Sequence, residues 1–353
     1  MDYVEPRFHP AVVEFEKFVA DRDSYRRALE EWLRYSWRWA RVDKYRLVFK
    51  IQAAALRAIR EYLDSHGFTE VLPPIIGPVA DPGIRGARQA AIDFYGREYK
   101  VMSSAILYKQ YMAASLGKIY FVSPNVRLEP PDSIYTGRHL VEFVQVDVEI
   151  LGADYHKAMD VAEGLVAYVV KAVGEEYGKK LEEVFNRTLP AFKPPFKRYS
   201  HGEAVKIVNS MGCRNPPDAE LEWGCERLFS GLHSQPVFIY DFPKGSRGFY
   251  DREDPARPGV LRDFDMLYPE GFGEAVSGAE REYEPERVAA RIREGGEDPA
   301  KYQWYLEMLR ELYPLQTAGF GIGVERLTRY LCGLRAVWEA RPYPKLAGIA
   351  PTP

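Results

Sequence analysis

Cysteine is scarce in this sequence: Cys213, Cys225 and Cys332 are the only three in 353 residues, and no two form a CxxC pair. An odd count without motif spacing argues against a disulfide framework. The expectation is reduced thiols in a cytoplasmic protein. Long apolar runs are missing too. No stretch approaches the roughly 20 residues that a membrane span needs, and the start, MDYVEPRFHP, has no basic-then-apolar leader pattern. No membrane partner is expected. Internal repeats and low-complexity tracts are also lacking. Nor is there a basic excess: 48 Lys and Arg face 51 Asp and Glu, a net charge of -3. Proteins that live on phosphate backbones usually show such an excess or a stripe. Its absence speaks against a large nucleic-acid footprint, although a local patch can hide in a neutral total.

What is present is a globular composition, 46% hydrophobic and 28% charged, with 24 Tyr and 26 Pro. Residues 11–45 show helical spacing (Val12, Phe15, Phe18, Val19; then Leu29, Trp32, Leu33, Trp37) and are rich in Trp and Arg. They read as packed helices, with a partner-binding arm as the other option. Val48, Ile51, Ala55, Ile59 and Leu63 make one apolar face of a helix over 46–66, which His66-Gly67 stops. Phe68 to Leu72 turns to strand character and Pro73-Pro74 ends it, so an edge or an interface is expected there.

Residues 75–98 are rich in Gly, Pro and Ala and read as a mobile loop. A strand at 99–102, a helix at 106–116 and strands at 118–129 and 140–151 follow. In the last of these, Val144, Val146, Val148 and Ile150 share one face; Phe143, Gln145, Asp147 and Glu149 share the other. Asn125, Arg127 and Glu129 likewise share a face. Two neighbouring strands with charged faces form either a polar ligand floor or a solvated surface. Further on, 155–185 is helical and 190–260 irregular, with a short strand at 237–240. A strand at 263–268 precedes a turn at 271–274. Two helices surround Gly295-Gly296, and Ala318–Gly323 leads into a helix from Val324 to about Leu334.

Four separated segments resemble the aspartyl/asparaginyl branch of the class II aminoacyl-tRNA synthetases. GFTEVLPPII (67–76) is similar to that family's first motif. Val126-Arg127-Leu128-Glu129 with Arg138 to Phe143 is similar to the second. GEAVSGAER (273–281) matches the segment ahead of the third, and GFGIGVERL (319–327) the third itself. A segment from Ser104 to Gln110 resembles SxxLYKQ. The resemblance spans residue 46 to the end, leaving 1–45 as an N-terminal helical extension and 46–353 as the catalytic domain. It implies an α+β fold: an antiparallel β-sheet flanked by helices, in a homodimer built partly by the Pro74 segment. The family's N-terminal anticodon-binding OB barrel has no counterpart in this reading.

The resemblance also implies roles. Adenylation presses a carboxylate against the ATP α-phosphate, so guanidinium groups and Mg²⁺ must neutralise like charges. Arg127 matches the arginine bridging carboxylate and α-phosphate, and Arg138 and His139 match the grip on the distal phosphates. Phe143 and Glu129 match the adenine stack and the reader of its amino group. Arg326 matches the third-motif arginine near the γ-phosphate. Gly321 and Gly323 fit a nucleotide lying close to the backbone. Glu274 and Ser277 match Mg²⁺ ligands, and Asp265 resembles a further acid at a slightly longer spacing. Taken singly, Arg138 reads equally as an exposed loop arginine and Arg326 as a helix-surface charge paired with Glu325. For the amino acid, Ser104, Lys109, Gln145, Asp147 and Arg281 match substrate-binding positions. Asp147 matches the acceptor of the ammonium group. Lys109 and Arg281, two cations around one small ligand, favour a dicarboxylic substrate such as aspartate.

Two departures remain. Ile106 stands where the family has a glutamine seating the ammonium group, and 45 helical residues stand in place of the barrel. An archaeal branch of tRNA-independent asparagine synthetases shares both, and SPNVRLE, PVADPG and YDFPKGSRGFYDRE (240–253) resemble it. The expected function is therefore an aspartate-ammonia ligase that makes asparagine, AMP and diphosphate through a β-aspartyl-adenylate. Aspartate would bind with its β-carboxylate toward Arg127. Aspartate, ATP and ammonia are the expected partners, and tRNA is not. The alternatives are a truncated synthetase charging tRNA or another acceptor, and a non-catalytic paralogue.

Overall fold

The computed structural model describes residues 5–81 and 86–349. Residues 82–85, within the Gly- and Pro-rich segment and overlapping the end of the PVADPG match, lie outside the described residues. Helices α1 (Pro10–Ala20), α2 (Arg22–Arg34) and the single turn α3 (Ser36–Trp39) come first. Pro at the first position of α1 and the Asp21 carboxylate accepting from the Ser24 amide define the first two starts. Helix α4 (Asp43–Ser65) follows, longer by three residues at its start than its apolar face requires.

Strands β1 (Thr69–Glu70), β2 (Ile76–Gly77), β3 (Ala91–Phe94) and β4 (Arg97–Val101) lead to helix α5 (Ile106–Leu116) and to β5 (Lys118–Val126) and β6 (Glu142–Leu151). Helix α6 (Tyr155–Phe185) is the longest. Then come β7 (Lys197–Ser200), α7 (His201–Ser210), α8 (Trp223–Gly231), β8 (Val237–Tyr240), β9 (Asp263–Tyr268), β10 (Gly273–Glu280), α9 (Pro285–Glu294), α10 (Gln303–Glu311), β11 (Thr317–Gly323) and α11 (Val324–Cys332).

Eight strands make one sheet in the order β1-β5-β6-β11-β10-β9-β8-β7, antiparallel except for the outermost pairs β1/β5 and β7/β8. β2, β4 and β3 form a separate three-stranded sheet. One face of the large sheet is closed by α4, α6 and α11. Ile51, Ala55, Ile59 and Leu63 of α4 and Ala162, Val166, Val169 and Val173 of α6 pack there against Val146, Val148, Phe320 and Val276. Burying such side chains removes roughly 1.5–3 kcal/mol of apolar surface each from water, which holds the sheet rigid. The other face is left to polar side chains, and α5, α9 and α10 wall its side through a second core of Leu107, Val288, Ile292 and Tyr305. β1 is an edge strand, as Pro73-Pro74 requires, and Leu72 and Ile75 beside it are exposed. Among the described residues no strand precedes Thr69.

Four expectations change. The segment 75–98 carries β2 and β3 rather than loop alone. The stretch 190–260 holds β7, α7 and α8; each is short, and α7 starts on a capping box between Ser200 and Glu203 that hydrophobic periodicity does not reveal. Of the turn foreseen at 271–274, only Gly271 and Phe272 are turn, and β10 already begins at Gly273; its glycines mask its strand character. Cys213 and Cys225 are joined in a disulfide, with Cα atoms 6.0 Å apart, and Cys332 alone is free and buried. A count of thiols does not show that the loop after α7 and helix α8 bring two of them side by side.

Candidate active site

The polar face of β6, β11 and β10 floors a cleft of about 240 Å³. The alternation foreseen for β6 orients it: Gln145 faces Ser123 and Phe143 faces Asn125 across the ladder, while Val146 and Val148 turn into the core. Glycines of β11 clear the space above. A Cβ on Gly321 would lie 3.1 Å from the Asp147 Oδ1 and 3.2 Å from the Gln145 Nε2, and one on Gly319 would lie 2.1 Å from the Glu149 Oε2. Ser104, Lys109, Arg127, Glu129, Arg138, His139, Phe143, Gln145, Asp147, Glu274, Ser277, Arg281, Gly321, Gly323 and Arg326 all line this one cleft. Asp265 stands one step behind it, directly opposite Ser277 in the β9/β10 ladder.

At one end of the cleft the arginines and acids interlock. Arg127 donates from Nε to the Ser103 carbonyl at 3.1 Å, and its guanidinium lies 5.1 Å from the Phe143 ring centre. Arg138 is buried, not an exposed loop residue. It reaches Glu226 at 3.2 Å and Glu274 at 3.3 Å and stacks over Trp223 at 4.3 Å. Arg326 pairs with Glu274 at 2.9 Å rather than with Glu325, which binds the Val144 amide and Arg341 instead. His139 accepts or donates at Nδ1 with Thr136 Oγ1 at 2.8 Å. Burial, with Arg326 and Arg138 nearby, pushes its pKa down to about 3, so the ring is neutral at physiological pH. Burial raises the Glu129 carboxyl above its usual range while Arg127 and Arg326 oppose that shift.

The other end is a buried lattice of mixed sign. Glu149 is fully buried and is gripped by Arg281 Nε at 3.1 Å, by the Thr317 hydroxyl at 2.7 Å and by Lys109 at 3.5 Å. Lys109 also reaches Asp147 at 3.4 Å, and Arg281 reaches Asp251 at 3.1 Å. Two cations are thus met by three acids. The two cations that favour a dicarboxylic ligand in the sequence are matched in the fold by carboxylates that stand apart from them along the chain, on β6 and after β8. Asp147 Oδ2 is buried with no hydrogen-bond partner among the described residues, and it borders the cleft. Such an atom awaits a donor from a ligand.

The residues matched to Mg²⁺ are already engaged. Arg247, on the segment between β8 and β9, donates to both oxygens of Asp265 at 3.0 and 2.6 Å and to the Ser277 hydroxyl at 3.0 Å. Glu220 at 2.8 Å and Asp263 at 3.4 Å complete its seat. Hard oxygens suit Mg²⁺, yet a guanidinium fills the space between two of the three. Among the described residues no three acid, His or Cys side chains converge as a metal cage. Glu274 is the carboxylate that faces the cleft at that end.

Sequence reasoning missed Glu149, Asp251, Glu226, Trp223 and Arg247. Glu149 left a signal as a fourth member of the polar β6 face, and Arg247 and Asp251 lie in the matched segment 240–253, where no role was assigned to them.

The matching protein-family model, tRNA synthetases class II (D, K and N), covers residues 28–347. The chain belongs to this family. An asparagine–tRNA ligase of Thermoplasma acidophilum is 32% identical over 310 residues, 87% of this chain and 71% of that one. One of Pyrococcus furiosus is 35% identical over 308 residues, 86% and 69% of the two chains. The crystal structure of asparaginyl-tRNA synthetase from Pyrococcus horikoshii complexed with asparaginyl-adenylate superposes with a TM-score of 0.83 at 32% identity, covering 91% of this chain and 73% of that one.

As a member the chain is an enzyme of the ATP-consuming ligase class, and its sheet with flanking helices is the family's catalytic core. The relatives correct two expectations. A tRNA-independent, ammonia-using asparagine synthetase is not what they are; they are tRNA ligases for asparagine. The expectation that tRNA is no partner falls with it. It rested on the missing barrel, on the resemblance to a tRNA-independent branch and on whole-chain charge, which averages out a local concentration. Among the described residues no helix is long and apolar enough to cross a membrane.

Proposed function

We propose that this chain activates asparagine with ATP and transfers the asparaginyl group to tRNA. The observation that carries the choice of amino acid is the Lys109–Glu149–Arg281–Asp251 lattice. A neutral amide offers one acceptor and one donor, and this lattice supplies a guanidinium beside carboxylates. An aspartate side chain would bring a further negative charge to cations already matched, at a high desolvation cost. Asp147 Oδ2 takes the substrate ammonium. The names of the relatives support the acceptor.

In this reading Arg127 holds the α-carboxylate against the α-phosphate. An O–P bond forms as the α–β phosphoanhydride breaks, and diphosphate leaves between Arg138 and Arg326. These guanidinium groups are fixed in place by Glu226 and Glu274, so little reorientation is needed as charge develops. Phe143 and Glu129 receive adenine. Glu274 would hold a Mg²⁺ arriving with ATP, which would screen the phosphate charge. A ribose hydroxyl of tRNA then attacks the carbonyl carbon, and AMP departs.

The test is diphosphate exchange with asparagine and with aspartate in parallel, followed by charging of total tRNA with each labelled amino acid. The proposal expects asparagine to be preferred at least ~100-fold, as buried polar mismatches discriminate, and expects charged tRNA. A preference for aspartate would overturn the amino-acid assignment. Exchange without charging would overturn the acceptor.

A further inference from the structure

The chain carries net charge -3, yet residues 34–46 hold five basic side chains, Arg34, Arg38, Arg41, Lys44 and Arg46, and the single acid Asp43. Asp43 is matched by Arg46 at 3.1 Å. Among the described residues Arg34, Arg38, Arg41 and Lys44 make no ion pair, and all four are exposed. Between them stand two tryptophans that the core does not use: Trp37 is 50% exposed and Trp39 38%.

The segment is nonetheless held firmly. Leu33, Ser36 and Tyr45 are buried. Trp32 packs edge-on to Tyr45 at 5.9 Å and to Trp338 at 4.9 Å, and Trp39 leans on Tyr45 at 6.5 Å. Trp338 adjoins Val337, which lines the active-site cleft. A run of ring contacts therefore fixes this basic, aromatic ridge to the shoulder of the cleft. Arg38 lies over the Tyr35 and Trp37 rings at 4.3 and 5.0 Å, which aligns its planar guanidinium with the exposed indole.

Exposed indoles interleaved with unpaired arginines form a platform for nucleic acid: arginines meet phosphates and unstacked bases lie on the rings. A membrane surface would demand a longer apolar face than two rings and Val42 provide, and an acidic protein would not call for two indoles. We propose that the α2–α3 ridge, Arg34, Trp37, Arg38, Trp39 and Arg41, is a tRNA docking surface that places phosphates and a base of an unpaired tRNA segment while the 3′ end reaches the cleft. This rests on the tRNA reading above.

The test uses the full chain, wild type, Trp37→Ala/Trp39→Ala, and Arg34→Gln/Arg38→Gln/Arg41→Gln. tRNA affinity is measured by filter binding over a salt series, with diphosphate exchange as the control. Losing base stacking or phosphate contacts is expected to raise the tRNA Kd roughly tenfold or more in each variant. The arginine variant should also flatten the slope of log K against log salt by ~2–3. Exchange should stay at the wild-type rate, which shows that the cleft is folded. If both variants bind and charge tRNA like a wild-type enzyme that does charge it, the ridge is not the docking surface and the function stands. If wild type itself binds and charges no tRNA, the inference falls together with the function. A change in molecular mass by gel filtration in the tryptophan variant, with tRNA affinity unchanged, would identify the ridge as a contact between two copies and overturn the proposal.

Discussion

Glu149 governs the amino-acid end of the cleft although no ligand need touch it. Glu149→Gln keeps the shape and removes one negative charge, leaving Lys109 and Arg281 with Asp147 and Asp251 alone. The variant should therefore accept aspartate better relative to asparagine, read as the ratio of kcat/KM values in diphosphate exchange. It should also lose about 3–5 kcal/mol of stability in urea unfolding, the usual effect of breaking a buried ion pair on one side. An unchanged ratio would detach selectivity from this lattice. His139 gives a second residue-scale test. Its pKa falls from 6.5 to about 3 on folding, so the unfolded chain binds the extra proton first. Its contribution to stability is complete above pH 6.5 and is lost as pH falls toward 3, roughly 2 kcal/mol by pH 5. His139→Asn should flatten the acid limb of the stability–pH curve by that amount, and its activity profile should show no inflection near pH 6.5 in the wild type. These residues also mark where the sequence stopped being readable. Asp147 and Gln145 were legible because strand period 2 ties them to neighbours. The Glu149–Arg281 pair spans 132 positions, and nothing along the chain links the two. Arg247 stands in the matched segment 240–253, but no role came with it: its significance lies in sitting against Asp265 and Ser277, whose own roles were implied by the family resemblance.

At the scale of elements, α8 shows how a support is built. Its Trp223 and Glu226 hold Arg138, and the adjoining Cys225 is tied to Cys213 across 12 positions. Closing a loop of that size contributes about 3 kcal/mol in the chain-entropy account. Reduction, or Cys213→Ser, should lower the unfolding midpoint by a corresponding amount in denaturant titration with and without a strong thiol reductant. An equal midpoint in both would show that the bridge adds no stability. Long periodic elements were legible before the structure: α5 and α6 fall on the expected residues, because many apolar positions vote together. Of the short ones, β8 and β9 also fall on the expected residues, but others were missed. β7, α7, α8 and the glycine-rich β10 have too few residues for a pattern, and tertiary packing decides them.

Across the whole molecule, family motifs reported the sheet and its cleft well because the second and third motifs and the segment ahead of the third line the cleft. They reported the partner poorly. Charge summed over 353 residues hid the ridge at 34–46, and two cations were read without the acids that match them. The ion-pair lattice has one further meaning. In the absence of substrate its carboxylates and guanidinium groups already solvate one another in place of water. Entry of a zwitterion and a nucleotide exchanges partners within a standing field instead of building a new one, so the reorganisation energy of the site is small. The barrier then lies less in arranging the protein around each new charge than in the bonds that change.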